Sequence, residues 1–278
     1  MWNRFIHQLL RVPYALHVRT NRRVKKPRAT IVLIHGIANS GAVWDDIIAH
    51  LPDDVRIITI DLLGFGNSPR PAWATYDARL QARSVIATLL GLRIRSPVIV
   101  VGHSLGSLVA VEMAARYPRL VSSLVLCSPP FYKESGTLSK LPSATSVLKR
   151  MYRQIHTKPD QFVKILSVAK KYGIISRNFT LEEEDMYPFM GALEASILNQ
   201  SAFDDIARLT LPIHIIHGRF DALMVPKYLK RLTTTHDNIT IQNIAAAHQI
   251  SRPFIAPVTK AVITSLNTPI VRYNKVNE

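Results

Sequence analysis

The chain of 278 residues has a single cysteine, Cys127. One thiol excludes an internal disulfide and a multi-cysteine metal site, so stability must come from packing, and a reducing compartment is the expectation. Long apolar runs are also lacking: none approaches the roughly 18 residues that a membrane-spanning helix needs. The opening stretch is interrupted by Arg4, His7 and Arg11 and lacks the unbroken apolar centre of a secretory signal, so a cytoplasmic location is expected. No repeat is apparent. No zinc-finger spacing, RNP-type aromatic motif or basic zipper region is present, which argues against a nucleic-acid partner despite the net charge of +16. What is present is 47% hydrophobic and 19% charged, a composition that excludes disorder as the main state and admits one large α/β domain or two small ones.

Acidic residues are scarce, and their scarcity is local. Residues 1–28 carry eight Lys or Arg and no acid, and residues 131–178 carry ten with only Glu134 and Asp160. These two segments hold the whole excess, and the remainder balances at 17 basic against 17 acidic residues. Charge confined in this way makes a polarised field suited to acidic proteins, anionic lipid surfaces or anionic substrates, with a solvated basic surface as the plainer alternative. Within the first segment Trp2, Phe5, Ile6, Leu9 and Leu10 follow helical spacing, with Arg4, His7, Gln8 and Arg11 largely opposite. An amphipathic helix of this kind either packs on its own domain or makes peripheral membrane contact through residues 1–12.

From Thr30 onward the pattern is regular. Thr30–Ile34, Val55–Ile60, Val98–Val101, Ser123–Leu126, Ile213–Ile216 and Ile239–Gln242 read as short buried strands. Helical stretches lie between them, clearest at Tyr76–Leu92 and Leu105–Tyr117, with another from about Phe254, and Tyr14–Arg19 is an edge-strand candidate. Such alternation predicts an α/β fold with a mostly parallel central sheet covered by helices. From about Lys133 to Asp204 the beat breaks and the composition turns helical, which predicts an inserted cap. The expected organisation is a basic N-terminal extension at 1–28, a core at 29–132 and 205–270, and a helical cap at 133–204. Thr180 with Glu183 resembles a capping box, so the acidic run Glu182–Asp185 is read as a helix start rather than a metal site.

The chemistry concentrates in Gly102-His-Ser-Leu-Gly106, which follows a strand and precedes a helix. Glycines two before and two after Ser104 permit a sharp turn that projects the hydroxyl above the sheet. A serine hydroxyl needs a base within reach and an acid to orient that base. Asp221 and His248 each lie just beyond a predicted strand, so the chain order is Ser, Asp, His. At this point the sequence resembles the α/β-hydrolase superfamily, with His35-Gly36 and Asp61-Leu-Leu-Gly-Phe-Gly-Asn-Ser68 adding to the likeness, which extends over roughly residues 14–265. The resemblance implies Ser104, Asp221 and His248 as catalytic residues and the backbone N–H groups of Ile37 and Leu105 as the oxyanion hole. It implies no cofactor and no metal.

Other residues in these stretches read as structural: His35 and His103 flank the site, His214 and His217 belong to a strand, Asp61 shapes a loop, and Cys127 packs. Two positions depart from the family pattern, Ser107 after Gly106 and Ala247 before His248. A serine at the elbow favours acyl transfer over the chemistry of the family's aspartate-dependent dehalogenases and epoxide hydrolases. The expectation is therefore a serine esterase acting on a small acyl or ester substrate, anionic or carrier-bound. Carbon-carbon bond hydrolysis of ring-cleavage products and a slow-turnover binding protein are the alternatives. Lys149, Arg150 and Arg153 of the basic cap are expected to capture the anionic substrate or carrier.

Overall fold

The structure, a computed structural model, describes residues 2–132, 153, 157, 183–198 and 202–269. Its strands are β1 (Val18–Arg22), β2 (Thr30–Ile34), β3 (Arg56–Ile60), β4 (Val98–His103), β5 (Val121–Cys127), β6 (Ile213–Gly218) and β7 (Ile239–Ile244). They form one seven-stranded sheet in the order β1-β3-β2-β4-β5-β6-β7. Every pair from β3 to β7 is parallel, and β1 runs antiparallel to β3. The principal helices are α1 (Ala78–Gly91), α2 (Leu105–Arg116), α3 (Met186–Ala192), α4 (Ala202–Ile206), α5 (Pro226–Thr235) and α6 (Arg252–Asn267).

Alternation along the strands divides the core in two. Val32, Ile34, Ile58, Ile60, Val98 and Val100 face the side covered by α1 and α2, where Leu89, Leu108 and Val109 meet them. Ile31, Leu33, Ile57, Ile99 and Val101 face the other side, against Trp44 and against Phe254, Val258 and Val262 of α6. Both faces are covered, which is why these strands read as continuous apolar runs rather than alternating ones. Each fully buried Ile or Val contributes roughly 1.5–3 kcal/mol relative to its exposed state.

Two boundaries differ from the sequence expectation. Strand β1 begins at Val18, not at Tyr14, because the N–H groups of Tyr14 and Leu16 donate to the Ser84 and Thr88 hydroxyls of α1 and are unavailable to the ladder. Helix α1 begins at Ala78, after the Asp77 carboxylate, which accepts from the Leu80 N–H at 2.8 Å as an N-cap. Tyr76 before it has φ of 54° and cannot be helical.

Most of the predicted cap, including Thr180, Lys149 and Arg150, lies outside the described residues. Its described end, residues 183–198 and 202–204, packs on the body: Phe189, Leu193, Ile197 and Phe203 join the core cluster of α1 and α2. Residues 2–9 form the expected N-terminal helix, a first turn at Trp2–Arg4 continuing into wider π-type turns at Phe5–Leu9.

Strand order reverses direction at β2, which has β3 on one side and β4 on the other. In open α/β sheets ligands bind beyond the carboxyl ends of the strands at such a switch point. The loops after β2 and β4 meet there.

Candidate active site

β4 runs through His103 and α2 starts at Leu105, so Ser104 alone makes the turn. Its φ of 51° and ψ of −117° lie outside the regions ordinarily open to a residue with a Cβ, a conformation that costs about 1–3 kcal/mol and persists only when its surroundings enforce it. Here the Ser104 N–H donates to the Cys127 carbonyl at 3.0 Å and its own carbonyl accepts from the Ser107 N–H at 2.9 Å. A Cβ on Gly102 would stand 2.4 Å from the Gly106 oxygen, and a Cβ on Gly106 would stand 2.3 Å from the Ile34 oxygen. Helix α2 thus approaches β2 and β4 more closely than any side chain would allow. Ser107, the departure from the family pattern, fastens this turn: its hydroxyl donates to the Gly102 carbonyl at 2.9 Å.

The other two residues of the predicted set come to the same place. Asp221 stands just beyond β6 and His248 just beyond β7. The His248 ring donates from Nδ1 to Asp221 Oδ2 at 2.8 Å, and its Nε2 lies 2.9 Å from Ser104 Oγ. A carboxylate accepts only, so the Nδ1 proton is assigned by the network and Nε2 is left to accept from the serine hydroxyl. Asp221 Oδ1 accepts the Leu223 N–H at 2.9 Å. Burial pushes the Asp221 pKa up, but the hydrogen bond and charge of His248 and the Leu223 N–H outweigh it, and the carboxyl is held below its usual range.

The flanking groups serve the scaffold. His35 donates from Nδ1 to the Gly36 carbonyl at 2.7 Å and accepts the Leu62 N–H at Nε2, 2.9 Å away, which ties the loop after β2 to the loop after β3. Its neighbour Gly36 lies against the elbow, since a Cβ there would be 3.1 Å from the Ser104 Cβ. Ile37 follows on this loop, and Leu105 opens α2, where first-turn N–H groups have no intrahelical acceptor. Asp61 shapes its loop as expected, accepting the Gly41 N–H at 2.7 Å and the Asn67 N–H at 2.9 Å. Cys127 is buried in the core, and burial pushes its thiol well above the usual range. His214 meets its structural reading only half-way: Nδ1 bonds the Thr240 hydroxyl, whereas Nε2 is buried with no hydrogen-bond partner among the described residues.

Two functions escaped the sequence reading. The His103 ring donates from Nε2 to the backbone carbonyl of His248 at 2.8 Å, so the residue beside Ser104 pins the loop that carries His248. Its pKa is lowered to about 3, chiefly by burial and then by the neighbouring His248. Asp185, read as part of a helix start, is buried and paired with Arg70 Nε at 2.8 Å, while the same guanidinium donates to the Gly66 carbonyl at 2.7 Å. That pair joins the described end of the insertion to the Asp61 loop. Among the cations expected to capture substrate, Arg153 is described and exposed.

A parallel sheet with a strained serine at the switch point defines an α/β hydrolase fold. Residues 29–174 match that family, alpha/beta hydrolase fold, and the chain belongs to it. It is 30% identical over 206 residues to a pimeloyl-[acyl-carrier protein] methyl ester esterase of Aeromonas hydrophila, covering 71% of this chain and 78% of that protein. It is 43% identical over 101 residues to the lipase LipV of Mycobacterium tuberculosis, covering 36% of this chain and 37% of the lipase. The chain likewise spans 27% of the length of a probable lysophospholipase of Arabidopsis thaliana. Among solved structures, an esterase of Exiguobacterium antarcticum superposes with a TM-score of 0.72 at 14% identity, over 91% of this chain and 96% of that one, a likeness of fold. These relatives are thus a methyl ester esterase, a lipase and a probable lysophospholipase.

Proposed function

We propose that the protein is a serine hydrolase that cleaves carboxylic esters through an acyl-enzyme. The observation that carries this reading is the unbroken hydrogen-bonded chain from Asp221 through His248 to Ser104. His248 takes the hydroxyl proton as Ser104 Oγ attacks the ester carbonyl, and Asp221 holds the resulting imidazolium. The N–H groups of Ile37 and Leu105 receive the oxyanion of the tetrahedral intermediate, an interaction worth about 3–4 kcal/mol per donor in other enzymes. As the intermediate collapses, the C–O bond to the alcohol breaks and His248 returns its proton to the departing oxygen. A water then loses a proton to His248 as it attacks the acyl carbon, and collapse breaks the acyl–Oγ bond, with His248 returning that proton to Ser104 Oγ as the acid leaves.

For the substrate we favour an ester of an anionic or carrier-bound acyl group. The relative that acts on a carrier-protein methyl ester and the basic charge of residues 131–178 support this. The test is hydrolysis of p-nitrophenyl esters from acetate to palmitate by wild type and Ser104→Ala, with fluorophosphonate labelling of the serine. Turnover and labelling that both vanish in the variant are the expected result. A folded wild type that neither labels nor turns over would reject the reading.

A further inference from the structure

Of the nine large apolar side chains left in solvent among the described residues, four lie together at the N-terminal segment, and Phe220 stands apart beside Asp221. Trp2, 78% exposed, Phe5, Leu9, 68% exposed, and Leu10 follow one another along the N-terminal helical segment. That segment is held to the body by its polar residues. The His7 ring stacks on Tyr14 with centroids 3.8 Å apart, the Gln8 side-chain amide donates to the Trp73 carbonyl at 3.1 Å, and the Arg83 guanidinium donates to the Arg11 carbonyl. Ile6 and His7 are the partly covered side chains of the segment, whereas Trp2, Phe5, Leu9 and Leu10 stay exposed, so most of the apolar stripe, whose burial would be favourable, is turned away from the body.

The segment also has a definite place. Val18 pairs with Ile60, the last residue of β3, so the preceding chain leaves at the carboxyl end of the parallel strands, the end that carries Ser104. Trp73, which anchors Gln8, belongs to the connection from β3 to α1 at the same end. Tyr187, half-exposed on α3, lies on that connection too, with its hydroxyl toward the Ala74 carbonyl at 3.4 Å and its ring edge-on to Tyr76. Leu90 and Ile263 are exposed late in α1 and α6, at the opposite end.

Charge completes the pattern. No acid precedes Asp45 in the chain. Arg19 and Arg22 are paired with Asp45 and Asp53, whereas Arg4 bonds the neutral Gln8 side chain, and Arg4 and Arg11 are both exposed beside the apolar stripe. Among the described residues, Glu184 is exposed three residues before Tyr187 and Asp77 is partly exposed on the β3–α1 connection, and these acids border the patch. Aromatic and aliphatic side chains flanked by cations without acids match the headgroup region of an anionic bilayer, where the rings insert and the guanidinium groups meet phosphates.

We infer that this face docks the protein on an anionic lipid surface, with Trp2, Phe5, Leu9 and Leu10 inserted at headgroup depth and the carboxyl end of the sheet turned toward the lipid. Delivery of a lipid-borne ester to Ser104 follows only if the proposed esterase reading holds; the docking itself does not depend on it. Among the described residues no helix is long and apolar enough to cross a membrane, so contact through this segment is peripheral.

Vesicle sedimentation tests the docking without reference to activity. The full chain is mixed with phosphatidylcholine vesicles, with or without about one third phosphatidylglycerol. Wild type should sediment with the anionic vesicles, with blue-shifted Trp2 emission, and remain in solution with phosphatidylcholine alone. A Trp2→Ser, Phe5→Ser, Leu9→Ser variant with unchanged Tm should lose affinity by about tenfold or more, and Arg4→Gln, Arg11→Gln should lose the anionic preference. A wild type indifferent to anionic vesicles overturns the inference, as does a triple variant that binds like wild type. A dimer that the triple variant dissociates, without vesicle binding by wild type, overturns it in favour of a contact between copies. A wild type that binds vesicles but hydrolyses no ester overturns the esterase reading and leaves the docking surface in place.

Discussion

Two histidine–aspartate pairs in this molecule have nearly the same geometry and different surroundings. His248 Nδ1 donates to Asp221 Oδ2 at 2.8 Å, and His17 Nδ1 donates to Asp61 Oδ2 at 2.9 Å. Both carboxylates are buried, and in both burial raises the pKa while hydrogen bonds to the charged form lower it further, so each is held below the usual range. The contrast lies beyond the pair. Asp61 also accepts two backbone N–H groups, from Gly41 and Asn67, and its histidine side chain is 37% exposed. Asp221 accepts one other N–H, and its histidine turns the second nitrogen to a serine in a strained turn. An imidazole on a buried carboxylate is therefore an element of folding in one loop and, in the proposed mechanism, an element of chemistry beside Ser104 in the other.

Substitution should separate the two roles. Ser104→Ala or His248→Ala is expected to lower kcat for ester hydrolysis by at least about 10³-fold with little change in Tm. His17→Ala should leave kcat within about twofold. Equal losses from His17→Ala and His248→Ala would erase the distinction. The acids should cross over: Asp221→Asn lowers kcat by about 10³–10⁴-fold through the wrong imidazole tautomer. Asp61→Asn instead weakens the hydrogen bonds of Gly41 and Asn67 and should destabilise by about 2–4 kcal/mol while the folded fraction keeps its turnover. Urea unfolding beside steady-state kinetics on the same preparations reads both sides of that comparison.

Much of the chemical pair is legible in the sequence, because Asp221 and His248 follow apolar strands and Ser104 sits between glycines that only a tight turn requires. The strands are legible because both faces of Thr30–Ile34 and its neighbours are covered, which leaves no polar residues to blur the runs. The structural pair is not. Asp61 reads as a loop residue, but its partner His17 is 44 residues away, and nothing local in the sequence marks that distance. The same holds for Arg70 and Asp185, 115 residues apart. Periodicity reveals the apolar stripe of residues 2–10 but not which way it faces, since orientation depends on Tyr14 and Trp73 rather than on the helix itself. Ser107 looks like a lost glycine because its hydroxyl's acceptor, the Gly102 carbonyl, is a property of the folded turn.

His103 offers a sharper probe, since it holds the His248 loop and has no counterpart at His17, whose backbone carbonyl accepts the Asp61 N–H instead. Its native pKa is depressed to about 3, so the unfolded chain takes up the proton first as pH falls. Stability from this group is therefore complete above the unfolded value near 6.5 and declines on acidification, by at most ~1.4 kcal/mol per pH unit, until the native value is passed. Asp61 and Asp221 act with the same sign but lower down, losing their contribution as pH falls from the ordinary carboxylate value through their depressed native ones. His103→Gln keeps a donor for the His248 carbonyl and removes the titration. It should flatten the decline between pH 6 and 4 (about the range set by those values) and lower kcat by about tenfold or less, whereas His103→Ala should lower kcat more. An unchanged acid limb in His103→Gln would remove the group from this account.

The smallest expected effect extends the structural pair outward. Arg70 is partly exposed but Asp185 is buried, so Arg70→Ala takes a partner from a buried carboxylate and should cost about 1–3 kcal/mol. The same guanidinium also donates to the Gly66 carbonyl within the Asp61 loop, and Asp185 leads into α3, whose Tyr187 rests on the β3–α1 connection. Loss of Arg70 should thus loosen the insertion's end against the loop without reaching Ser104 or His248. Steady-state kinetics should show KM for a long-chain ester rising by about two- to fivefold while kcat for p-nitrophenyl acetate stays level. A fall in kcat equal to that of the Asp221 variant would mean that the two histidine–aspartate regions are coupled through the insertion, and the separation drawn between them would fail.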